Sequence, residues 1–239
     1  MGGILGIVAA KDPDFMIHSL TKLNLFGQEV YFTTTHVSLL IICSALIIFA
    51  VIVRSKLKDT DGKPGALQNV AELIVEMLDG MVKSSMGTKG NPYRNYLGTL
   101  FMFLLISNLS GLLGLRPPTA DYGVTLGLGL ITFFIVQINN VRYNKLGAIT
   151  DLFKPLPFLF PINFIGEIAT PISLSLRLFG NVLAGTVIMA LIYGLLSKVA
   201  FLWPGVLHVY FDIFSGAIQA YVFCMLTMVF VGNKIPDEE

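Results

Sequence analysis

The run from Tyr31 to Val53 contains no Asp, Glu, Lys or Arg, and comparable uncharged stretches recur along the chain. A bilayer core about 30 Å thick takes roughly twenty apolar residues per crossing helix. Inside it every backbone N–H and C=O must find an internal partner, so only helices and closed barrels cross. The runs here are continuous and lack alternation at period two, which argues against a membrane barrel. Across 239 residues 54% are hydrophobic and 13% charged, where a soluble domain carries about 25% charged. The sequence therefore predicts an all-α polytopic membrane protein. It should have about five transmembrane helices, an amphipathic membrane-associated helix and a long tilted helical hairpin at the C-terminal end.

The expected organisation is a single integral membrane domain over 1–239. Residues 1–30 read as an N-terminal interfacial segment, broken up by Lys11, Asp12, Asp14, Lys22 and Glu29. A first span covers 31–53 and ends at the basic RSKLK. After the turn-rich DTDGKPG (59–65), residues 66–86 carry Leu67, Val70, Leu73, Ile74, Met77, Leu78 and Met81 at helical spacing. Glu72, Glu76 and Asp79 lie opposite, the pattern of an amphipathic helix lying along the membrane or against other helices. A helical hairpin over 95–141 turns at LRPPTAD (115–121). The proline-punctuated DLFKPLPFLFP (151–161) should break any helix and follow the interface. Residues 162–232 form the second hairpin, with its turn at KVAFLWPG (198–205).

Lysine and arginine placement gives the orientation. With the N-terminus outside, eleven basic residues fall on the cytoplasmic side: Arg54, Lys56, Lys58, Lys63, Lys83, Lys89, Arg94, Arg142, Lys145, Lys154 and Lys234. Four fall outside: Lys11, Lys22, Arg116 and Lys198. The bias places the N-terminus outside and the C-terminus in the cytoplasm. A net charge of +1 argues against a nucleic-acid partner, which calls for a basic patch. Cys43 and Cys224 lie in apolar stretches and read as small hydrophobes rather than a disulfide or metal pair. The N-terminal MGGILGIVAAKDPDF lacks the basic region and long apolar core of a signal peptide. No P-loop or other nucleotide motif is visible, and neither a cofactor nor a metal is expected.

One charge stands where the composition forbids it. No charged residue lies between Glu167 and Arg177, or between Arg177 and Lys198. Arginine at the centre of a membrane helix costs about 2.5–3.5 kcal/mol on insertion scales. Its guanidinium stays charged at any biological pH, so it must face protein, water or an opposing carboxylate. At about 100° per residue, Thr170, Ser173, Arg177, Asn181, Ala184 and Gly185 form one stripe of small or polar side chains. Plain helix packing accounts for the small residues. It leaves the arginine unexplained.

Two carboxylates accompany it. Glu167 precedes Arg177 by ten residues, about 15 Å along a helix. Asp212 shares a face of the last apolar segment with Ser215, Gly216 and Gln219. In an antiparallel pair Gln219 falls near Arg177, Asp212 toward the outer surface and Glu167 toward the cytoplasm. Acid, arginine and acid across the membrane read as an interrupted ion path.

At these residues the chain resembles a family. SLSLRLFGNVLAGT (173–186) and FSGAIQAYVFCMLTMVF (214–230) closely resemble the two signature helices of subunit a of the bacterial F-type ATP synthase, in its membrane Fo sector. PTADYGVTLGL (118–128) and PLPFLFPINFIGEIATPISLSLRLFGN (155–181) extend the likeness, which covers roughly residues 30–233. The resemblance implies a stator subunit of a rotary ATP synthase in the bacterial cell (plasma) membrane. Its implied partners are a c-subunit ring, b-type peripheral stalk subunits, the rest of the F1Fo enzyme and the lipid bilayer. Its implied work is to provide two offset half-channels that carry H+ or Na+ to and from the c-ring carboxylates, coupling the ion gradient to rotation and ATP synthesis. The chain is then non-catalytic and holds no nucleotide.

By the same resemblance Arg177 faces the c-ring as an electrostatic separator, with Gln219 beside it. Glu167 belongs to the cytoplasmic half-channel, and Asn181 and Ser173 to the polar path or the ring-facing surface. The sequence departs from the family at one place. Many relatives carry glutamate nine residues after the arginine, where this chain has Thr186. Seven residues before the glutamine, often histidine or serine in relatives, stands Asp212. Helical geometry then predicts an exchange in which the acid has moved to the facing helix and serves the same outer half-channel. An ion-coupled secondary transporter with an intramembrane Arg/carboxylate site is the alternative reading, but the paired broken helices or internal repeats of transporters are not visible.

Overall fold

The computed structural model describes residues 19–25, 28–56, 65–113, 115–144, 158, 160–195 and 203–236. Among these, five helical stretches are long and apolar enough to cross a membrane: Thr34–Lys56, Ala66–Leu113, Tyr122–Asn144, Phe160–Ile192 and Gly205–Gly232. The fold is the all-helical membrane bundle that the uncharged runs dictate, with one addition. Strands β1 (Ser19–Leu25) and β2 (Gln28–Thr33) pair antiparallel ahead of the first span, with Leu23 opposite Val30 and Lys22 opposite Tyr31. The reading of 1–30 as an interfacial segment contains no strands. Leu23 and Leu25 alternate with Lys22 and Asn24, and Val30 and Phe32 with Glu29 and Tyr31. That is the period-two signal, but it lasts only a few residues on each strand. Residues 1–18 of the segment lie outside the described residues, as do most of the expected breaks at 59–65 and 151–161.

Helix α1 (Thr34–Lys56) closes on Arg54 and Lys56, whose charges complement the carbonyl end of the helix. It buries Thr35, Ser38 and Ile42 and exposes Leu40, Ile47, Ile48 and Val51, an apolar outer surface suited to lipid. Helix α2 (Ala66–Met86) divides its apolar stripe. Leu78, Val82 and Met86 enter the core with Ile74 and Met81 against them, while Val70, Leu73 and Met77 remain exposed. The helix stops at Gly87, whose φ of 58° suits a residue without Cβ and whose N–H returns to the Lys83 carbonyl. A 3-10 turn over Gly87–Tyr93 leads into α3 (Arg94–Leu109), and Arg94 pairs with Asp79 of α2 at 2.9 Å.

Helix α4 (Tyr122–Asn144) packs along α5 (Phe160–Leu195). Gly129 permits the contact: a Cβ there would lie 2.7 Å from the Pro171 carbonyl oxygen. Between membrane helices lipid is as apolar as leucine, so close packing of this kind carries the association. Helix α5 has 36 residues, about 54 Å, and must incline strongly to keep its apolar length within a core of about 30 Å. The last span begins at Trp203, inside the turn expected over 198–205. Helix α6 (Trp203–His208) carries Pro204 in its first turn, where a missing N–H is harmless. It runs through a π-helical turn (Val209–Ser215) into α7 (Gly216–Gly232).

The core is shared by α2, α3, α4, α5 and α7, with Val136 as the α4 member. Leu97, Leu100 and Leu104 of α3 meet Leu174 and Leu178 of α5 and Ala220, Phe223, Cys224 and Met228 of α7 in one cluster.

Candidate functional site

Two contacts fix how α5 and the last span face each other. Ser215 Oγ donates to Asn181 Oδ1 at 2.7 Å. One turn further along α5, a Cβ on Gly185 would touch the Phe211 ring at 3.4 Å. Both contacts have the same antiparallel register, and that register sets Arg177 level with Gln219. The small residues of the stripe therefore serve close approach at Gly185, while Ser173, Arg177 and Ala184 are exposed. Among the described residues Arg177 has no hydrogen-bond or ion-pair partner.

A carboxylate lies toward either end of this pair. Near the start of α5, Glu167 Oε2 accepts from Gln137 Nε2 at 3.1 Å and Oε1 faces Lys234 Nζ at 3.3 Å. Pro171, one turn on, has no N–H to give the Glu167 carbonyl, which loosens the helix just here. Glu167, Gln137, Asn144, Thr170, Asn233 and Lys234 line a cleft of about 310 Å³ with an apolar floor of Val136, Leu174 and Phe230. Thr170 turns its hydroxyl to the Gly166 carbonyl at 3.0 Å.

Toward the other end Asp212 lies at the middle of the π-helical turn. One extra residue per turn re-aims side chains, and such bulges recur at functional sites. Asp212 Oδ2 is 2.8 Å from His208 Nδ1, and Oδ1 lies 3.3 Å from where a Cβ on Gly111 would stand. The carboxylate thus faces the 3-10 turn Ser110–Leu113 that follows α3. From Asp212 to Gly232, where α7 ends, the span covers roughly 30 Å, so the two acid clusters lie toward opposite ends of the bundle. A buried polar network backs the Asp212 cluster: Asn108 donates to the Gly216 carbonyl at 2.9 Å and accepts from Thr119 Oγ1 at 2.9 Å.

Among the residues singled out from sequence, Asn181 joins the last span at Ser215 and Arg177 falls level with Gln219. Thr186 and Asp212 share no hydrogen bond: Thr186 is exposed and donates to the Leu183 carbonyl at 2.8 Å, while Asp212 is directed to His208 and Gly111. Three partners escaped the sequence reading. His208 carries a local signal, the i,i+4 spacing to Asp212. Gln137 and Lys234 are distant in sequence from Glu167, and only the packing of α4 and the end of α7 unites them.

An arginine exposed on an apolar helical bundle, with no partner among the described residues and with a carboxylate cluster toward either end of its helix pair, marks a functional site in a polytopic membrane protein. Residues 36–232 match the family described as ATP synthase A chain. The chain is 39% identical over 199 residues to the ATP synthase subunit a, sodium ion specific, of Propionigenium modestum, covering 76% of this chain and 68% of that one. It is 37% identical over 174 residues to ATP synthase subunit a of Moorella thermoacetica, covering 72% and 78%. With the Staphylococcus saprophyticus subunit a it shares 34% over 247 residues, 95% of this chain and 98% of the relative. The chain belongs to the ATP synthase subunit a family of bacterial F-type enzymes. It is a multi-pass protein of the bacterial membrane and a component of the F1Fo complex, with a stator role in ion transport and ATP synthesis.

Proposed function

We propose that this chain lines two offset half-channels that carry H+ or Na+ to and from the carboxylates of a c-subunit ring, so coupling the ion gradient to rotation. The observation that carries the reading is Arg177, exposed on α5 and without a partner among the described residues. An intramembrane guanidinium needs a negative group brought to it, and a ring carboxylate supplies one each time it passes. The cation entering from outside neutralises that carboxylate, which then faces lipid without a large desolvation penalty. Beside Arg177 the ionised form is favoured, the ion departs on the other side, and the fixed charge repels a cation that would cross directly. Each charge moved yields about 2.3 kcal/mol per 100 mV.

In this reading Asp212 and Gln219 serve the outer half-channel and the approach to Arg177, and Glu167 the cytoplasmic one. Ser173, Asn181 and Thr186 belong to the polar path or the ring-facing surface. The orientation is N-terminus outside, which puts the Glu167 cleft at the cytoplasm, and b-type stalk subunits hold the single membrane domain still. One relative is named sodium ion specific, which keeps sodium beside the proton as the coupling ion. The transporter alternative draws no support from the family match.

Cysteine cross-linking tests the ring contact. In assembled complex with Cys43 and Cys224 replaced, Ser173→Cys and Leu176→Cys are expected to cross-link on oxidation to a cysteine beside the c-subunit carboxylate. Leu178→Cys, on the buried face, is expected not to. Equal yields from all three, or none from Ser173, would overturn the reading.

A further inference from the structure

We infer that Lys234 is a positioning residue of the inner mouth, whose charge keeps Glu167 from trapping the cation on its way to the cytoplasm. The inference deepens the proposed function and rests on Glu167 belonging to the cytoplasmic half-channel. A lone carboxylate on an exit route attracts the ion that must leave. Here its two oxygens are shared between a neutral amide, Gln137 at 3.1 Å, and a cation, Lys234 at 3.3 Å. Both charged side chains are only about a quarter exposed (26% and 28%), so solvent screens the pair incompletely. Among the described residues lining the cleft these are the only two charges: α4 contributes Gln137 and Asn144, and the turn after α7 contributes Asn233 and Lys234.

The ammonium is held in place by a built turn. Beyond α7, Lys234 N–H donates to the Val231 carbonyl and Ile235 N–H to the Gly232 carbonyl, each at 3.1 Å. Ile235 is buried in the core cluster, and Lys89 Nζ donates to its carbonyl at 2.9 Å. The chain is thereby anchored on both sides of Lys234, which points its charge back across the cleft to α5. A cation entering this mouth meets a carboxylate already offset by an ammonium.

The test uses inverted membrane vesicles carrying the whole F1Fo complex, in which the cytoplasmic mouth faces the medium. ATP-driven cation uptake is measured against medium pH and, separately, medium sodium. Lys234→Gln is expected to lower the cation concentration for half-maximal uptake by about fivefold, the scale of a partly exposed ion pair. Lys234→Arg is expected to keep the wild-type dependence. Glu167→Gln added to Lys234→Gln should erase the shift. Wild-type cation dependence in Lys234→Gln, a Lys234→Arg variant as altered as Lys234→Gln, or failure of Lys234→Gln to assemble would each overturn the inference. Unchanged transport in Glu167→Gln alone would instead remove Glu167 from the path.

Discussion

Ser215 donates its hydroxyl proton to Asn181 across the α5–last span interface at 2.7 Å, and this bond sets the register in which Arg177 stands level with Gln219. Replacing Ser215 with Ala removes one interhelical hydrogen bond, worth about 0.6–1.7 kcal/mol between membrane helices. ATP synthesis by Ser215→Ala vesicles is expected to fall severalfold while the complex still assembles. Ser215→Thr, which retains the donor, is expected to stay closer to wild type.

Asp212→Asn removes the carboxylate beside His208 and Gly111, which the proposed function assigns to the outer half-channel. Transport is expected to slow by about tenfold at low outside cation and to recover partly as that concentration rises, since access rather than the arginine step is impaired. A titration of synthesis rate against outside pH and sodium checks this. Rates equal to wild type at every point would take Asp212 out of the path.

Gly129→Ala sets a Cβ 2.7 Å from the Pro171 carbonyl oxygen, and backbone cannot yield as a side-chain tip can. The overpacking is expected to cost about 1–3 kcal/mol and to push α4 from α5 beside the Glu167 cleft. Thermal denaturation of the purified complex in detergent should show a lowered Tm for Gly129→Ala. Gly127→Ala, where the added Cβ meets nothing within 4 Å, should leave it unchanged.

Asn108 bridges Thr119 and the Gly216 carbonyl while almost fully buried. Asn108→Leu leaves the Gly216 carbonyl and the Thr119 hydroxyl without that partner, at a cost of about 1–3 kcal/mol. The expected result is reduced assembly of the chain with its complex, measured by co-purification. Asn108→Ser is expected to lose less.

The parts legible in the sequence are those dictated by the bilayer itself. A helix over Thr34–Lys56 follows from an uncharged run, and Arg177 is conspicuous because nothing near it in sequence is charged. The amphipathic pattern of Ala66–Met86 gives a helix, but hydrophobic spacing alone could not assign Leu78 to the core and Leu73 to the outside, since both are apolar. Three features had weak or no local signal. The Glu167–Lys234 pair joins residues whose separation along the chain is 67, so only tertiary packing creates it. The π-helical turn at Asp212 leaves no mark in a pattern of apolar residues. The hairpin before α1 has its period-two alternation, but too briefly to stand out among mixed charges.

The most direct test of the central claim is Arg177→Ala in membrane vesicles bearing the whole complex, with ion-driven ATP synthesis and passive cation leak measured on the same preparation. Synthesis is expected to be lost, leak to rise because no fixed charge separates the half-channels, and Arg177→Lys to fail to restore coupling, since lysine can shed its proton when buried and lacks the planar fork. ATP synthesis at the wild-type rate in Arg177→Ala would contradict the claim.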